Sequence, residues 1–235
     1  MELKELKQQQ IWVCWRYEED QNSRLTKVLY NTKGYQTGTS IYYEPQWATH
    51  DEAIEAVKVH GFDGIGLILV PGIGGIDIDH KATDSIIANE VRSLMNTYEE
   101  LSPSGEGIHH LFTVDVDKIP VSINSKSEKK LSSDYYSKNP HNDLEVYIGG
   151  LTNRYLTFTG NVISDLPLMD RTHEVLTFLD TYMKKELFSK TDNGSIALAM
   201  SSPLARTILC RFSIALSVNI SLGMNISIPS KAFSP

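Results

Sequence analysis

Two aspartates separated by a single isoleucine, Asp77 and Asp79, close the run Gly74-Gly75-Ile76-Asp77-Ile78-Asp79. In an extended strand successive side chains leave by opposite faces, so Ile76 and Ile78 enter a core while Asp77 and Asp79 project together from the other side. Two carboxylates held that close repel, and each raises the pKa of the other unless a cation lies between them. Hard oxygen donors of this kind suit magnesium or manganese. A bare Asp-x-Asp also occurs as an exposed polar strand end, so the pair gains weight only from its company.

That company comes in two further segments. Ser102-Pro103-Ser104-Gly105-Glu106-Gly107-Ile108-His109 places two glycines before a strand. Glycine lets backbone approach a ligand closely, and amides in such turns can cradle phosphate oxygens, with His109 as a further donor. Alternation along this strand puts Ile108, His110 and Phe112 on one face and His109, Leu111 and Thr113 on the other, so His109 is the candidate for the open face and His110 for a packed one. In Asp143-Leu144-Glu145-Val146-Tyr147-Ile148, the apolar Leu144, Val146 and Ile148 face inward and send Glu145 and Tyr147 outward. With Asp77 and Asp79, Glu145 makes a three-carboxylate metal site; alone it is a solvated residue.

These side chains need elements to position them. Residues 11–17 read as an opening strand with a partner at 27–30 before a turn at Gly34. Thr49 followed by Glu52 is a capping-box signal for a helix reaching Val59, with Ala53, Ile54, Ala56 and Val57 as its apolar stripe. The run 64–70, the Pro71-Gly72 turn and the return 73–79 predict a hairpin that presents the aspartates. Apolar residues Ile86, Ile87, Val91, Leu94, Met95 and Tyr98 predict a helix over 85–101. A strand over 108–114, a polar loop over 120–142, strands at 144–148 and 154–159 joined through Gly149-Gly150, and a helix over 174–187 complete the reading. After Ser189 charge nearly vanishes; 195–217 has a helical pattern, and 224–235 has none.

The 235 residues are 41% hydrophobic and 22% charged, a balance that favours a packed globular core over disorder. Cys14 and Cys210 have no partners at zinc-finger spacing and supply no disulfide framework, which fits a reducing cytoplasm. No secretory h-region follows Met1, and Arg206, Arg211 and Pro203 argue against a membrane span in 196–222. The formal charge of -7 disfavours nucleic-acid binding spread over the whole surface but leaves room for local basic clusters such as Lys126, Lys129 and Lys130.

The order Asp-x-Asp, Ser-Gly-x-Gly-x-His and strand Glu resembles the three motifs of the archaeo-eukaryotic primase superfamily, and most closely the primase-polymerase branch of phage and plasmid replication proteins. Further blocks carry the same resemblance: Trp12-Val13-Cys14-Trp15-Arg16, Thr26-Lys27-Val28-Leu29-Tyr30-Asn31, Gly61-Phe62-Asp63-Gly64-Ile65-Gly66, Tyr98-Glu99-Glu100-Leu101 and Asn153-Arg154-Tyr155-Leu156-Thr157-Phe158. It covers roughly residues 10 to 185. The chain departs from the pattern at Glu106, where a basic residue is common, and at Leu29, where proline is.

The resemblance implies an α+β fold: a catalytic core over 1–165 whose RRM-like sheet carries the motifs, then a helical segment and tail over 166–235. It implies a DNA primase and polymerase in which Asp77, Asp79 and Glu145 hold Mg2+ or Mn2+ and His109 joins them as a catalytic residue. Ser104, Gly105, Gly107 and His109 would bind the incoming nucleoside triphosphate, assisted by Arg154 and Lys27. Single-stranded template and primer are the implied partners, with a replicative helicase acting in trans, because no Gly-x-x-x-x-Gly-Lys-Ser/Thr loop stands in the chain. Two rival readings remain at this point: a catalytically weak origin-binding or single-strand-binding module, and a glycosyltransferase using Asp-x-Asp to hold the metal of a nucleotide sugar.

Overall fold

The computed structural model describes residues 1–79 and 84–185. The end of the 174–187 helix and everything read from the tail, Cys210 included, lie outside the described residues. Residues 1–185 form one compact unit.

In chain order the elements are helix α1 (Leu3–Lys7), strands β1 (Trp12–Glu19) and β2 (Leu25–Tyr30), a 3-10 turn, and helix α2 (His50–His60). Strands β3 (Gly64–Ile68) and β4 (Ile73–Ile78), helix α3 (Ile86–Met95), and strands β5 (Tyr98–Leu101) and β6 (Ile108–Thr113) follow. Next come β7 (Val121–Ile123), β8 (Lys129–Leu131), β9 (Lys138–Asn139), β10 (Leu144–Ile148), β11 (Tyr155–Phe158) and β12 (Val162–Ser164). Helix α4 (Thr172–Phe178) runs on into a π-helical turn, Leu179–Met183.

The strands form a four-stranded sheet in the order β11-β3-β1-β2, a six-stranded sheet in the order β12-β5-β6-β4-β10-β9, and the hairpin β7-β8. Neighbours in every sheet are antiparallel, which gives the expected α+β architecture. Helix α2 starts as its sequence predicts: the Glu52 amide donates to the Thr49 hydroxyl while the Glu52 carboxylate accepts from the Thr49 amide, and Gly61 ends the helix at φ +62°.

Three expectations about the elements are corrected. The segments 64–70 and 73–79 are not a hairpin, because β3 pairs within the four-stranded sheet and β4 within the six-stranded one; the Pro71-Gly72 turn carries the chain from one sheet to the other. The Gly149-Gly150 turn joins β10 and β11 as expected, and it too crosses between the two sheets. The helix expected over 85–101 stops at Met95, where Asn96 takes a left-handed conformation, and Tyr98–Leu101 is a strand. Tyr98 continues the helical spacing by coincidence; the side chain is buried among aromatic and aliphatic residues of the four-stranded sheet instead. The polar stretch 120–142 contains β7, β8 and β9, and two lysines of its basic cluster are paired, Lys129 with Asp117 and Lys130 with Glu128.

The six-stranded sheet has two unlike faces. On one, Ile76 and Ile78 of β4, Ile108 and Phe112 of β6, and Leu144, Val146 and Ile148 of β10 pack with Ala88, Val91 and Met95 of α3 and with Val175 and Phe178 of α4. On the other, Ile73, Tyr98, Leu111 and Tyr147 share a cluster with Trp12, Leu67, Leu156 and Phe158 of the four-stranded sheet. Alternation therefore sends Asp77 and Glu145 to the second face, beside a layer that shields them from bulk water.

Candidate active site

Cross-strand register lines up five ionisable residues in a single row. Lys138 of β9 lies opposite Glu145 of β10, Glu145 opposite Asp77 of β4, Asp77 opposite His109 of β6, and His109 opposite Glu100 of β5. Directly opposed residues of antiparallel strands project to the same face, so the row is one contiguous band of charge across the sheet. Asp79 stands just past the end of β4, where its amide donates to the Asp143 carbonyl at 3.0 Å.

The burial of this band is what makes it unusual. The side chain of Asp77 is 18% exposed, Glu145 7%, His109 2% and Glu100 1%. One carboxylate oxygen of Asp77, Oδ1, is buried and has no hydrogen-bond partner. Burial pushes the Asp77 carboxyl up to about 6; His109 pulls against this, Asp79 and Glu145 add to it, and the Lys27 ammonium opposes it least of the four.

His109 spans two carboxylates. Its Nδ1 lies 3.4 Å from Glu100 Oε1, and its Nε2 lies 3.6 Å from Asp77 Oδ1, too far for a hydrogen bond. Glu100 is itself firmly held, accepting from the amides of Thr159 and Gly160 at 3.0 and 2.9 Å and from the Tyr98 hydroxyl at 3.0 Å. The imidazole is thus oriented from behind and presents Nε2 toward Asp77. At the other end of the row the Lys138 ammonium donates to Glu145 Oε1 and stands 3.9 Å from Asp79 Oδ2.

The expected split between the two histidines holds in its geometry but not in its solvent exposure. His109 is on the face of Asp77, yet that face is covered, and both histidines are buried. His110 opposes Ile76 and Glu99 on the helix-covered face, and neither of its ring nitrogens has a partner. Burial first, and then the nearby Arg92 and His109, pull its pKa down to about 3, so it is neutral in the fold at neutral pH. An unfolded chain protonates this ring below about 6.5, so stability falls as the pH drops from there toward 3. His110→Leu is expected to stabilise the protein by about 1 kcal/mol at pH 7, from the orphaned nitrogens. The gain should widen by about 2 kcal/mol at pH 5, because the variant has no ring to protonate on unfolding. Denaturant titrations at the two pH values check this.

The glycine turn lies beside the same strand end. A Cβ on Gly107 would fall 2.8 Å from the Ile78 carbonyl, so only glycine passes here. The Gly105 amide donates to the Ser102 carbonyl and the Gly107 amide to the Ser102 hydroxyl, so both amides offered to phosphate by the sequence reading are engaged within the turn. The Ser104 hydroxyl lies 3.1 Å from that of Ser102 and accepts from the Glu106 amide. Arg154, on the segment entering β11, has its guanidinium 6.0 Å from the Tyr147 ring centre and is exposed. Lys27 of β2 sits 5.4 Å from the Trp15 ring centre, within electrostatic reach of Asp77 but not in contact with it.

Among the described residues, no three His, Cys, Asp or Glu side chains already converge as a metal-ligand group. The donor set nevertheless suits a hard divalent cation: Asp77 and Glu145 are in register, Asp79 stands just past the end of the Asp77 strand, and a buried Asp77 oxygen is left without a partner. Glu100 and Lys138 are the residues sequence reading missed as parts of the site. Glu100 was hidden by the helical spacing that runs through Tyr98, although two glutamates between Tyr98 and Leu101 are a poor fit to a helix flank that must be buried. Lys138 carried no signal in a polar stretch.

No family model matches the chain. A curated DNA primase-polymerase of Nitratiruptor phage NrS-1 is 31% identical to it over 159 residues. The chain is similar to a phage primase-polymerase. The aligned region is 64% of this chain and 19% of the relative, so the chain spans about a fifth of the relative's length. The resemblance read from the order of the motifs is thus borne out by similarity along the sequence. No helix among the described residues is long and apolar enough to cross a membrane.

Proposed function

We propose that the chain carries a primase-polymerase core that transfers nucleotides to a primer under the direction of a single-stranded DNA template, using Mg2+ or Mn2+. The observation that carries this reading is the buried row Glu100-His109-Asp77-Glu145 with Asp79 beside it, which assembles all three sequence motifs on one sheet face. The similarity to the phage enzyme supports it.

Asp77, Asp79 and Glu145 would hold the divalent ions. Their chemistry there would be activation of a 3'-hydroxyl and compensation of the charge that develops on the leaving pyrophosphate. The neighbouring residues have separate tasks. Glu100 fixes the imidazole of His109 so that Nε2 stays on the carboxylate side, where in the imidazolium form it donates to a phosphate oxygen. The Ser104 hydroxyl, at the exposed rim of the glycine turn, offers a further donor, and Gly107 keeps that turn close against β4. Lys27 and Arg154 add positive charge around the nucleotide's phosphates, and Arg154 can meet an oxyanion through two N–H groups at once. The layer formed by the four-stranded sheet excludes water from the inner part of the row, which strengthens each of these contacts.

On this reading His109→Ala lowers the efficiency of nucleotide use roughly tenfold to a hundredfold, the effect of losing one hydrogen bond to a charged phosphate. His110→Leu, on the opposite face, leaves it within about twofold, since it touches no reacting group. Steady-state incorporation at varied nucleotide concentration separates the two variants, and equal losses would contradict the assignment of faces.

The reading itself is tested by extension of a labelled primer on single-stranded templates of different sequence with deoxynucleotides and either ion. Incorporation that follows the template supports it. DNA binding without incorporation under either ion would leave a binding module, and turnover of a nucleotide sugar would point to the glycosyltransferase chemistry instead.

A further inference from the structure

We propose that Lys138 is a resident cation of the carboxylate site: its ammonium holds Glu145 and Asp79 in the metal-free protein and is displaced when a divalent ion enters, so that this one side chain sets how tightly the site takes its ion. The inference rests on the metal-binding reading above and goes beyond it.

Three observations carry it. Lys138 is the end of the charged row, directly opposite Glu145, and so projects to the face of Asp77 and Glu145. Its ammonium donates to Glu145 Oε1 and lies 3.9 Å from Asp79 Oδ2. The carboxylates whose charges act on this ammonium are Glu145, Asp79 and Asp77, the same three that make up the candidate metal set. A divalent ion held by Asp79 and Glu145 would compete with Lys138 for the Glu145 oxygen to which the ammonium now donates. A second cation within about 4 Å of the ammonium would be repelled by it.

The rest of the structure makes displacement cheap. The Lys138 side chain is 69% exposed, while that of Glu145 is 7% exposed. The lysine can therefore withdraw into water by rotating its flexible stem, and the carboxylate stays in place. The backbone around it is anchored: the Ser137 carbonyl accepts from the Val146 amide at 2.8 Å, and the buried Asn139 donates to the Tyr182 carbonyl at 2.7 Å. Exchange of one cation for another thus needs a rotamer change and no movement of β9. Together with His109 and Lys27, the ammonium also offsets the mutual repulsion of the three carboxylates before any ion arrives.

The test uses the whole chain as wild type, Lys138→Met, which keeps the stem and removes the charge, and Lys138→Arg, which keeps the charge. Mn2+ binding is measured by calorimetry, and thermal midpoints are measured without metal and at saturating Mn2+. Lys138→Met is expected to bind Mn2+ about tenfold more tightly, the scale of one charge-assisted contact no longer broken on binding. Its metal-free midpoint should fall below wild type, and the difference should close at saturating Mn2+. Lys138→Arg should stay within about threefold of wild type in affinity, because a cation of similar reach remains. Unchanged or weaker binding in Lys138→Met overturns the inference while leaving the metal site standing. So does a midpoint deficit that persists in saturating Mn2+, which would mark Lys138 as a structural tie. If neither wild type nor Lys138→Met takes Mn2+ at millimolar concentration, the metal-binding reading falls, and this inference falls with it.

Discussion

Asp77→Asn is expected to lower templated nucleotide incorporation by about a thousandfold or more, the order of effect for removing a charged ligand from a metal-assisted transfer. It is expected at the same time to make the metal-free protein more stable. Both follow from the same placement. Asp77 is the central residue of the row, between His109 and Glu145, and it buries a carboxylate oxygen that nothing in the protein satisfies. Its pKa stands at about 6 in the fold, above the ordinary value near 4 that it regains on unfolding. A carboxyl whose folded pKa is raised binds its proton more tightly in the fold, so stability is lost as pH rises from about 4 to about 6 and stays lost above that. The neutral amide escapes this penalty, which is at most about 3 kcal/mol at pH 8 and disappears below pH 4. Urea titrations of metal-free wild type and Asp77→Asn at pH 8 and pH 4 should therefore diverge at the first and converge at the second. A variant that is inactive and less stable at both would mark Asp77 as a packing residue.

The largest effect on folding is expected from a residue with no part in the chemistry. The chain passes between the two large sheets three times, and two of these crossings, at 70–72 and at 149–150, press against each other. A Cβ on Gly149 would lie 1.8 Å from the Val70 carbonyl oxygen and 2.8 Å from that of Leu69. Both neighbours are backbone, and the Gly149 amide is committed to the Ile73 carbonyl at 2.9 Å, so no side chain can move aside to make room. Gly149→Ala should destabilise the protein by about 3 kcal/mol or more, at the upper end for a single added methyl. Gly72→Ala in the other crossing is the control. Its φ is +95°, but nothing lies within 4 Å of an added Cβ, so it should cost only the backbone penalty of about 1 to 2 kcal/mol. Similar losses in the two variants would show that the contact between the crossings yields easily.

The parts of the fold legible in the sequence are those set by neighbours a few residues away. Alternation in β4 and β10 gave the faces of Asp77 and Glu145, because a period of two leaves no other choice once the isoleucines and valine are buried. The Thr49 and Glu52 capping box marked the start of α2 because its partners are three residues apart. Partner choice between strands is a different matter. Pro71-Gly72 signals a reversal, but turn chemistry is the same whether the returning strand pairs with the outgoing one or leaves for another sheet. Tyr98 kept step with Leu94 and Met95, so periodicity alone extended α3 through β5 and concealed Glu100, the residue that orients His109. Lys138 enters the site only through a two-residue edge strand, too short to leave a pattern.

The central claim is that Asp77, Asp79 and Glu145 hold divalent ions for nucleotidyl transfer. Its most direct test is a calorimetric titration of Mn2+ into wild type, Asp77→Asn and His110→Leu at pH 8. Binding by wild type and His110→Leu with matching isotherms, and its loss in Asp77→Asn, is the expected result. An Asp77→Asn isotherm indistinguishable from wild type would contradict it.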